Sequence, residues 1–305
     1  MLTQITDSCF YMKGHVNIGY ITKNGKGLLI DSGLDKGAAK RIIKILKENQ
    51  LPLHYCIITH GHVDHYGGAK YLKNEMEIEF FSTKIESSFV QNPVLEPIYL
   101  WNGAMPIKEL RNKFLEGEET DIFGFLNEGI QKIGPFTFEV MPFPGHSYGQ
   151  IGILIDDVLF AADSYFGVDV LNKHKVPFIV DAKATIETLE KINDLDCLGA
   201  LPGHGDFEAK FKSTIQANKK CHENILAFLL SSIEKEENGV YMEDLQTIFF
   251  QQYELSPANI GSWLLYRTSF TSYISTLIEK GLVSISIKDY KLWLQNTKII
   301  EPRSS

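Results

Sequence analysis

The chain has few cysteines, and no two of them are close. Cys9, Cys56, Cys197 and Cys221 lie far apart, with no C-x-x-C pair. Those spacings point to reduced, buried thiols in a cytosolic protein rather than a disulfide framework. Cys56, inside the apolar run Tyr55-Cys56-Ile57-Ile58, suits a core position. No uninterrupted apolar segment is long enough to span a bilayer. The opening MLTQITDSCFYMKG lacks the charged start and apolar stretch of a signal peptide. A soluble cytoplasmic protein with no membrane partner is therefore expected. A basic excess is missing too: Lys+Arg total 30 against 38 Asp+Glu. Residues 1–210 hold 28 acidic and 20 basic side chains, and residues 211–305 hold 10 of each. Neither part carries the basic footprint of a nucleic-acid binder. No internal repeat or low-complexity tract is visible.

What remains is a chain of 305 residues with ordinary apolar content, long enough for more than one domain. Short apolar runs alternate with turns at the start: strands are expected over Val16–Ile21, Gly27–Ile30 and Leu53–Thr59, with a helix over 36–49. Gly67-Gly68 opens a further helix through Leu72. Residues 84–130 break the rhythm with Pro93, Pro97, Pro106 and several aromatics. This stretch reads as an insertion, either a lid over a pocket or a packed excursion. Strands resume over Phe136–Met141, Ile151–Ile155 and Val158–Ala161, the last two joined by a tight Asp156-Asp157 turn. A helix over Ala182–Ile192 and a strand over Leu198–Leu201 follow. Residues 211–305 read as helices near 213–234, 241–251 and 266–280, then two short strands, a winged-helix-like module.

Seven potential metal ligands recur in order. Thr59-His60-Gly61-His62-Val63-Asp64-His65 is followed by His146, Asp163 and His204. Imidazole and carboxylate are the ligands zinc takes when thiolate is absent. Alternate residues of an extended turn point the same way, so His60 and His62 can share one ion and leave Asp64 and His65 for a second. The later three each end an expected strand beside small residues, Gly145, Ala162 and Gly203, which let side chains converge. Unpaired Asp and His at buried strand ends would be costly without a cation.

This pattern resembles the metallo-β-lactamase-fold superfamily, and within it the glyoxalase II-like hydrolases. The resemblance covers about residues 10–210 and rests on the T-H-x-H-x-D-H turn at 59–65 with His146, Asp163 and His204. It implies an α+β fold: an αββα sandwich of two sheets with helices outside, here with the C-terminal helical module added. It implies two divalent ions, most simply zinc, with manganese or iron as alternatives. The first ion would take His60, His62 and His146; the second would take Asp64, His65 and His204; Asp163 would bridge them. Asp31 matches the family's strand-end aspartate that supports the histidine turn. Position 62 is His where the di-iron flavoprotein branch has a carboxylate. Position 163 is Asp where true metallo-β-lactamases usually have Cys.

Such a site would be left about one unit positive, favouring an anionic or strongly polarised small molecule. Hydroxide between the ions would be the nucleophile. Asp64 and Asp163 are the catalytic candidates. Tyr165, just past Asp163, joins them as a contact to a substrate carbonyl, with packing under the loop as its alternative; lactone-cleaving relatives place a Tyr near there, although not at this spacing. His15, Asn17 and His174 are further substrate-contact candidates, whereas His54 and His222 read as surface residues. The expected function is a dinuclear-metal hydrolase of a small thioester, lactone or related ester. Against glutathione conjugates in particular, residues 211–305 lack an evident basic cluster for that peptide's carboxylates. The alternative is a phosphodiesterase or ribonuclease of the same fold. The C-terminal module could instead mediate homodimerisation or dock a partner.

Overall fold

A computed structural model describes residues 1–299. Two sheets face each other. The first has seven strands in sequence order: β1 (Leu2–Gln4), β2 (Cys9–Met12), β3 (Ile18–Lys23), β4 (Lys26–Ile30), β5 (Tyr55–Ile57), β6 (Glu79–Ser82) and β7 (Gly124–Phe125). Neighbours are antiparallel up to β4 and parallel from β4 to β7. The second has five: β8 (Gly129–Ile133), β9 (Phe136–Pro142), β10 (Ile151–Ile155), β11 (Val158–Ala162) and β12 (Gly199–Pro202), ordered β12-β11-β10-β9-β8. Only β11 and β12 run parallel in it. Asp156 and Asp157 both take positive φ, 49° and 61°, as a two-residue hairpin turn requires.

Burial explains the layering. In β9 the side chains of Phe136, Phe138 and Val140 are buried, while Thr137 between them is exposed. They meet Ile21, Leu28 and Ile57 of the first sheet in the core between the sheets. On the outer face of the first sheet, Leu29 and Cys56 pack against Ile42 and Leu46 of α1 (Lys36–Glu48). Asp35 caps that helix by accepting from the Gly37 and Ala38 amides. On the outer face of the second sheet, Leu159 and Ala161 meet Leu189 and Ile192, so β11 is buried throughout. The result is an αββα sandwich. Each fully buried Leu, Ile or Phe contributes on the order of 1.5–3 kcal/mol.

The remaining helices connect and cover this frame: α2 (Val63–Tyr66), α3 (Ala69–Glu75), α4 (Lys84–Gln91), α5 (Leu95–Leu100), α6 (Val168–His174) and α7 (Ala182–Asn193). After them come α8 (Lys212–Glu234), β13 (Val240–Tyr241), α9 (Met242–Gln252), α10 (Ile260–Glu279), β14 (Val283–Lys288) and β15 (Lys291–Asn296). The last three strands form a small sheet ordered β13-β15-β14 beside the helices. α10 begins before the expected residue 266 because Asn259 and Ser262 form a capping box. Among the described residues, no helix is long and apolar enough to cross a membrane.

Two expectations need correction. The stretch 84–130 does not stay apart from the sheets: β7 extends the first and β8 opens the second. Its middle packs Leu100, Leu110 and Leu115 against Leu264 of α10, and the Arg267 guanidinium donates to the Leu100 carbonyl. His222 is not a surface residue. It is buried in α8, with Nδ1 2.8 Å from the Tyr273 hydroxyl. His54 is half-buried.

Candidate metal centre

The strand ends bring the histidines and aspartates together. Parallel β4 and β5 finish side by side, delivering Asp31 and the Thr59–His65 turn to one edge. Parallel β11 and β12 deliver Asp163 and His204 to the same place, and β9 leads to His146. The Ile151 amide donates to the Thr59 carbonyl and the Asn17 amide to the Gly203 carbonyl, tying the two sheets' ends across the site. The turn is extended only as far as His62 (φ −82°, ψ 144°); Asp64 and His65 lie on the single turn of α2.

His60, His62 and His146 form one group, with donor atoms within 4.8 Å of one another. His62 Nδ1 and His146 Nε2 are 2.8 Å apart. Asp64, His65 and His204 form a second group. Asp163 lies between the two. Its Oδ1 is 3.3 Å from His65 Nε2, and its Oδ2 is 3.4 Å from His146 Nε2 and 3.3 Å from His204 Nε2. Asp64 Oδ2 is 3.2 Å from His204 Nε2.

These atoms fit a divalent cation. Four imidazoles have Nδ1 committed to a neighbour: His65 to Asp31 Oδ2 at 2.7 Å, His146 to the Phe178 carbonyl at 2.9 Å, His204 to the His15 carbonyl at 2.6 Å, and His60 to Thr59 Oγ1 at 3.1 Å. A carbonyl or carboxylate partner requires the proton on Nδ1, which leaves the Nε2 lone pair facing inward. Among the described residues, His60 Nε2, His65 Nε2 and Asp163 Oδ1 are buried without a hydrogen-bond partner. Buried polar groups are seldom left so. A Cβ on Gly203 would lie 2.0 Å from Asp163 Oδ1, so only glycine leaves room for that carboxylate. Ala162 takes a positive φ of 49° where the β11–β12 register shifts, which turns Asp163 into the centre.

The electrostatics divide the two groups. Burial, reinforced by neighbouring imidazoles, holds His60 well below the usual histidine value and His62 down at about 3. Burial also lowers His146. In the other group burial pulls the same way but loses to the carboxylates. Asp31, Asp163 and Asp64 hold His65 well above its ordinary value, and Asp163 and Asp64 raise His204 to about 10. Burial would raise Asp64, yet His65 and His204 hold it down at about 2. The surroundings of Asp64 and Asp163 thus favour positive charge.

A cavity of about 1310 Å³ opens onto His62, Asp64, His146, Asp163 and His204, and Leu265 and Tyr266 of α10 wall it. Phe166 stacks on His204 with centroids 5.9 Å apart, and Phe178 lies edge-on to His62 at 5.4 Å.

A family model described as the metallo-beta-lactamase superfamily matches residues 11–204. The chain belongs to the metallo-beta-lactamase superfamily. Within it the chain is glyoxalase II-like. A hydroxyacylglutathione hydrolase of Vibrio campbellii is 32% identical over 133 residues, 44% of this chain and 41% of that protein. Lactamase-like protein nscB of Aspergillus fumigatus is 27% identical over 242 residues, 77% of this chain and 62% of that one. The matches thus span about two fifths to three fifths of these curated relatives. A beta-lactamase domain protein from Burkholderia ambifaria superposes with a TM-score of 0.74 at 16% identity, covering 97% of this chain and 94% of that one. The shared fold therefore takes in the C-terminal module.

The other residues singled out in the sequence fare unevenly in this superfamily frame. His15 and His174 line the cavity. Tyr165 does not: it is buried among Phe143, Leu159 and Ile215, and the cavity side is taken by Phe166. Asn17 is not among the residues lining the cavity either. Its side-chain amide donates to the Pro202 and Gly205 carbonyls and so braces the His204 loop. One positioning residue escaped the sequence reading. Glu86 is buried on α4; Oε2 accepts from the Gly61 amide at 2.7 Å, and Oε1 from Ser147 Oγ at 2.7 Å and the Gly149 amide at 2.6 Å. It joins the histidine turn to the His146 loop.

Asp31 holds the turn from the other side. Oδ1 accepts from the Thr59 amide at 2.8 Å while Oδ2 takes His65 Nδ1. Asp31→Ala is expected to weaken metal affinity about 10–100-fold. Chelator competition checks this; unchanged affinity would show that His65 needs no such partner.

Proposed function

We propose that the chain is a dinuclear-metal hydrolase, with zinc as its ion, that cleaves a small thioester, lactone or related ester in the cytoplasm. The observation that carries the reading is Asp163, set between two triads of inward-facing donors. His60, His62 and His146 would hold one ion, Asp64, His65 and His204 the other, and Asp163 both. Divalent ions bound there supply Lewis acidity and a water made nucleophilic near neutral pH.

The chain's own residues do the rest. Asp31, Thr59 and Glu86 fix the donors so that little reorganisation is needed when charge develops. Phe166 and Phe178 set apolar rings beside His204 and His62, which lowers the local polarity and strengthens electrostatics there. A site whose two divalent ions bring four positive charges, offset in part by Asp64 and Asp163, favours an anionic or polarised substrate. The four cysteines are free, in keeping with a reducing compartment. One feature favours a phosphodiesterase instead: Lys288 and Lys291 sit over Trp293 and Tyr241 on the C-terminal hairpin, at 3.9 and 4.9 Å from the ring centroids. The even charge of residues 211–305 weighs against it.

Metal analysis of the full chain is expected to return close to two ions per chain. Metal-loaded protein screened on thioesters, lactones, phosphodiesters and β-lactams is expected to turn over the first two classes. No bound ion with no activity on adding zinc, manganese or iron, or activity on phosphodiesters alone, would overturn the proposal.

A further inference from the structure

One buried carboxyl in the cavity wall has no part in holding the ions. Glu96 lies on α5, is 5% exposed, and lines the same cavity as Asp64. Among the described residues its Oε2 is buried with no hydrogen-bond partner. The hydroxyls of Tyr66 and Tyr99 feel its charge, yet among the described residues neither is hydrogen-bonded to it. The charged groups that act on Glu96 are Asp64 and Glu86, both carboxylates. Burial first, then those two, push Glu96 well above the usual carboxylate range.

Its backbone is not free to carry the side chain elsewhere. α5 is pinned by Leu100 against Leu264 and by the Arg267 guanidinium on the Leu100 carbonyl. A buried carboxyl left unpaired is costly, and unsatisfied groups of this kind are found where function uses them. The space that Glu96 borders is the cavity. What fits there is a hydrogen-bond donor, because both the carboxylate and the neutral acid have an oxygen that accepts. A bare ether or carbonyl, which has no proton to give, fits only the acid.

We propose that Glu96 is a substrate-contacting, specificity-determining residue that accepts a hydrogen bond from an O–H or N–H carried by the substrate beside its scissile group. This rests on the hydrolase reading for its substrate but not for its test. Matched probes are the N-acetylcysteamine thioesters of butanoate, 2-hydroxybutanoate and 3-hydroxybutanoate, together with thioethers in which CH₂ replaces the scissile carbonyl. Calorimetric binding of the thioethers to the metal-loaded full chain needs no turnover.

Wild-type protein is expected to favour one hydroxylated probe over the plain one by about tenfold to a hundredfold, in binding and in kcat/KM. Glu96→Leu should erase that preference, and Glu96→Gln, whose amide oxygen still accepts, should keep it. Metal content of both variants should match wild type. Equal binding of hydroxylated and plain thioethers by wild type overturns the proposal. So does a preference that survives Glu96→Leu, or a fall in metal content on that change, which would make Glu96 a support for Asp64. A thioether preference erased by Glu96→Leu without any thioester hydrolysis keeps Glu96 in place and sinks only the hydrolase reading. Should the leucine variant fail to fold, the wild-type preference and its retention in Glu96→Gln decide.

Discussion

Asp163→Asn is expected to lower hydrolysis by about 10³-fold or more while the sandwich stays folded. The change is nearly isosteric and removes one charge from the point where both donor groups meet. His65, His146 and His204 all have Nε2 within 3.4 Å of Asp163 oxygens, which sets this carboxylate where it would meet both ions. Electrostatic stabilisation of this kind is worth several kcal/mol, and about 1.4 kcal/mol is a factor of ten in rate. The fold should survive because the core between the sheets is built from Ile57, Phe138, Ile153 and their neighbours, not from the strand ends. Metal content should fall from two ions toward one. The decisive measurement pairs kcat/KM with metal analysis on the same sample. Wild-type rates at two ions per chain in Asp163→Asn would remove Asp163 from the centre of the chemistry.

The ligands were legible in the sequence for a physical reason. His60, His62, Asp64 and His65 are contiguous, and His146, Asp163 and His204 each follow a small residue at a strand end. Gly203 shows why: any larger side chain would strike Asp163. Glu86 was not legible. It bonds to Gly61, Ser147 and Gly149, all remote in sequence, and a glutamate in a helix ordinarily reads as solvated. Of the two readings of Tyr165, packing under the loop is the one that the fold takes, and Phe166, given no role in the sequence, lines the cavity beyond the left-handed turn at Ala162. The four-residue α2 is too short for any periodic signal, and so is most of 84–130, whose packing against α10 joins segments far apart in the chain. His222 was within reach of a closer reading. Ile215, Asn218, Ile225, Leu226 and Leu229 stand at helical spacing from it, and all are buried.

That buried histidine gives the largest expected effect on stability. His222 lies in α8 away from the metal centre, and burial lowers it to about 4. Its Nδ1 is committed to the Tyr273 hydroxyl. In the unfolded chain it titrates near 6.5, so between these values the unfolded state binds a proton that the native state does not. Stability is complete above about pH 6.5 and is lost as pH falls toward 4. The loss through this residue is about 2 kcal/mol by pH 5 and about 3 kcal/mol by pH 4. His222→Gln keeps a polar group opposite Tyr273 and cannot titrate. Urea unfolding of both proteins at equal metal content should therefore give curves that diverge as pH falls from 7.5 to 5, with the variant losing less. Because both carry the same metal site, acid release of ions cancels in the comparison. Parallel loss in the two proteins would mean that His222 takes up its proton within the fold, and that the cluster of Ile225, Leu229, Phe249 and Phe270 beside it admits water.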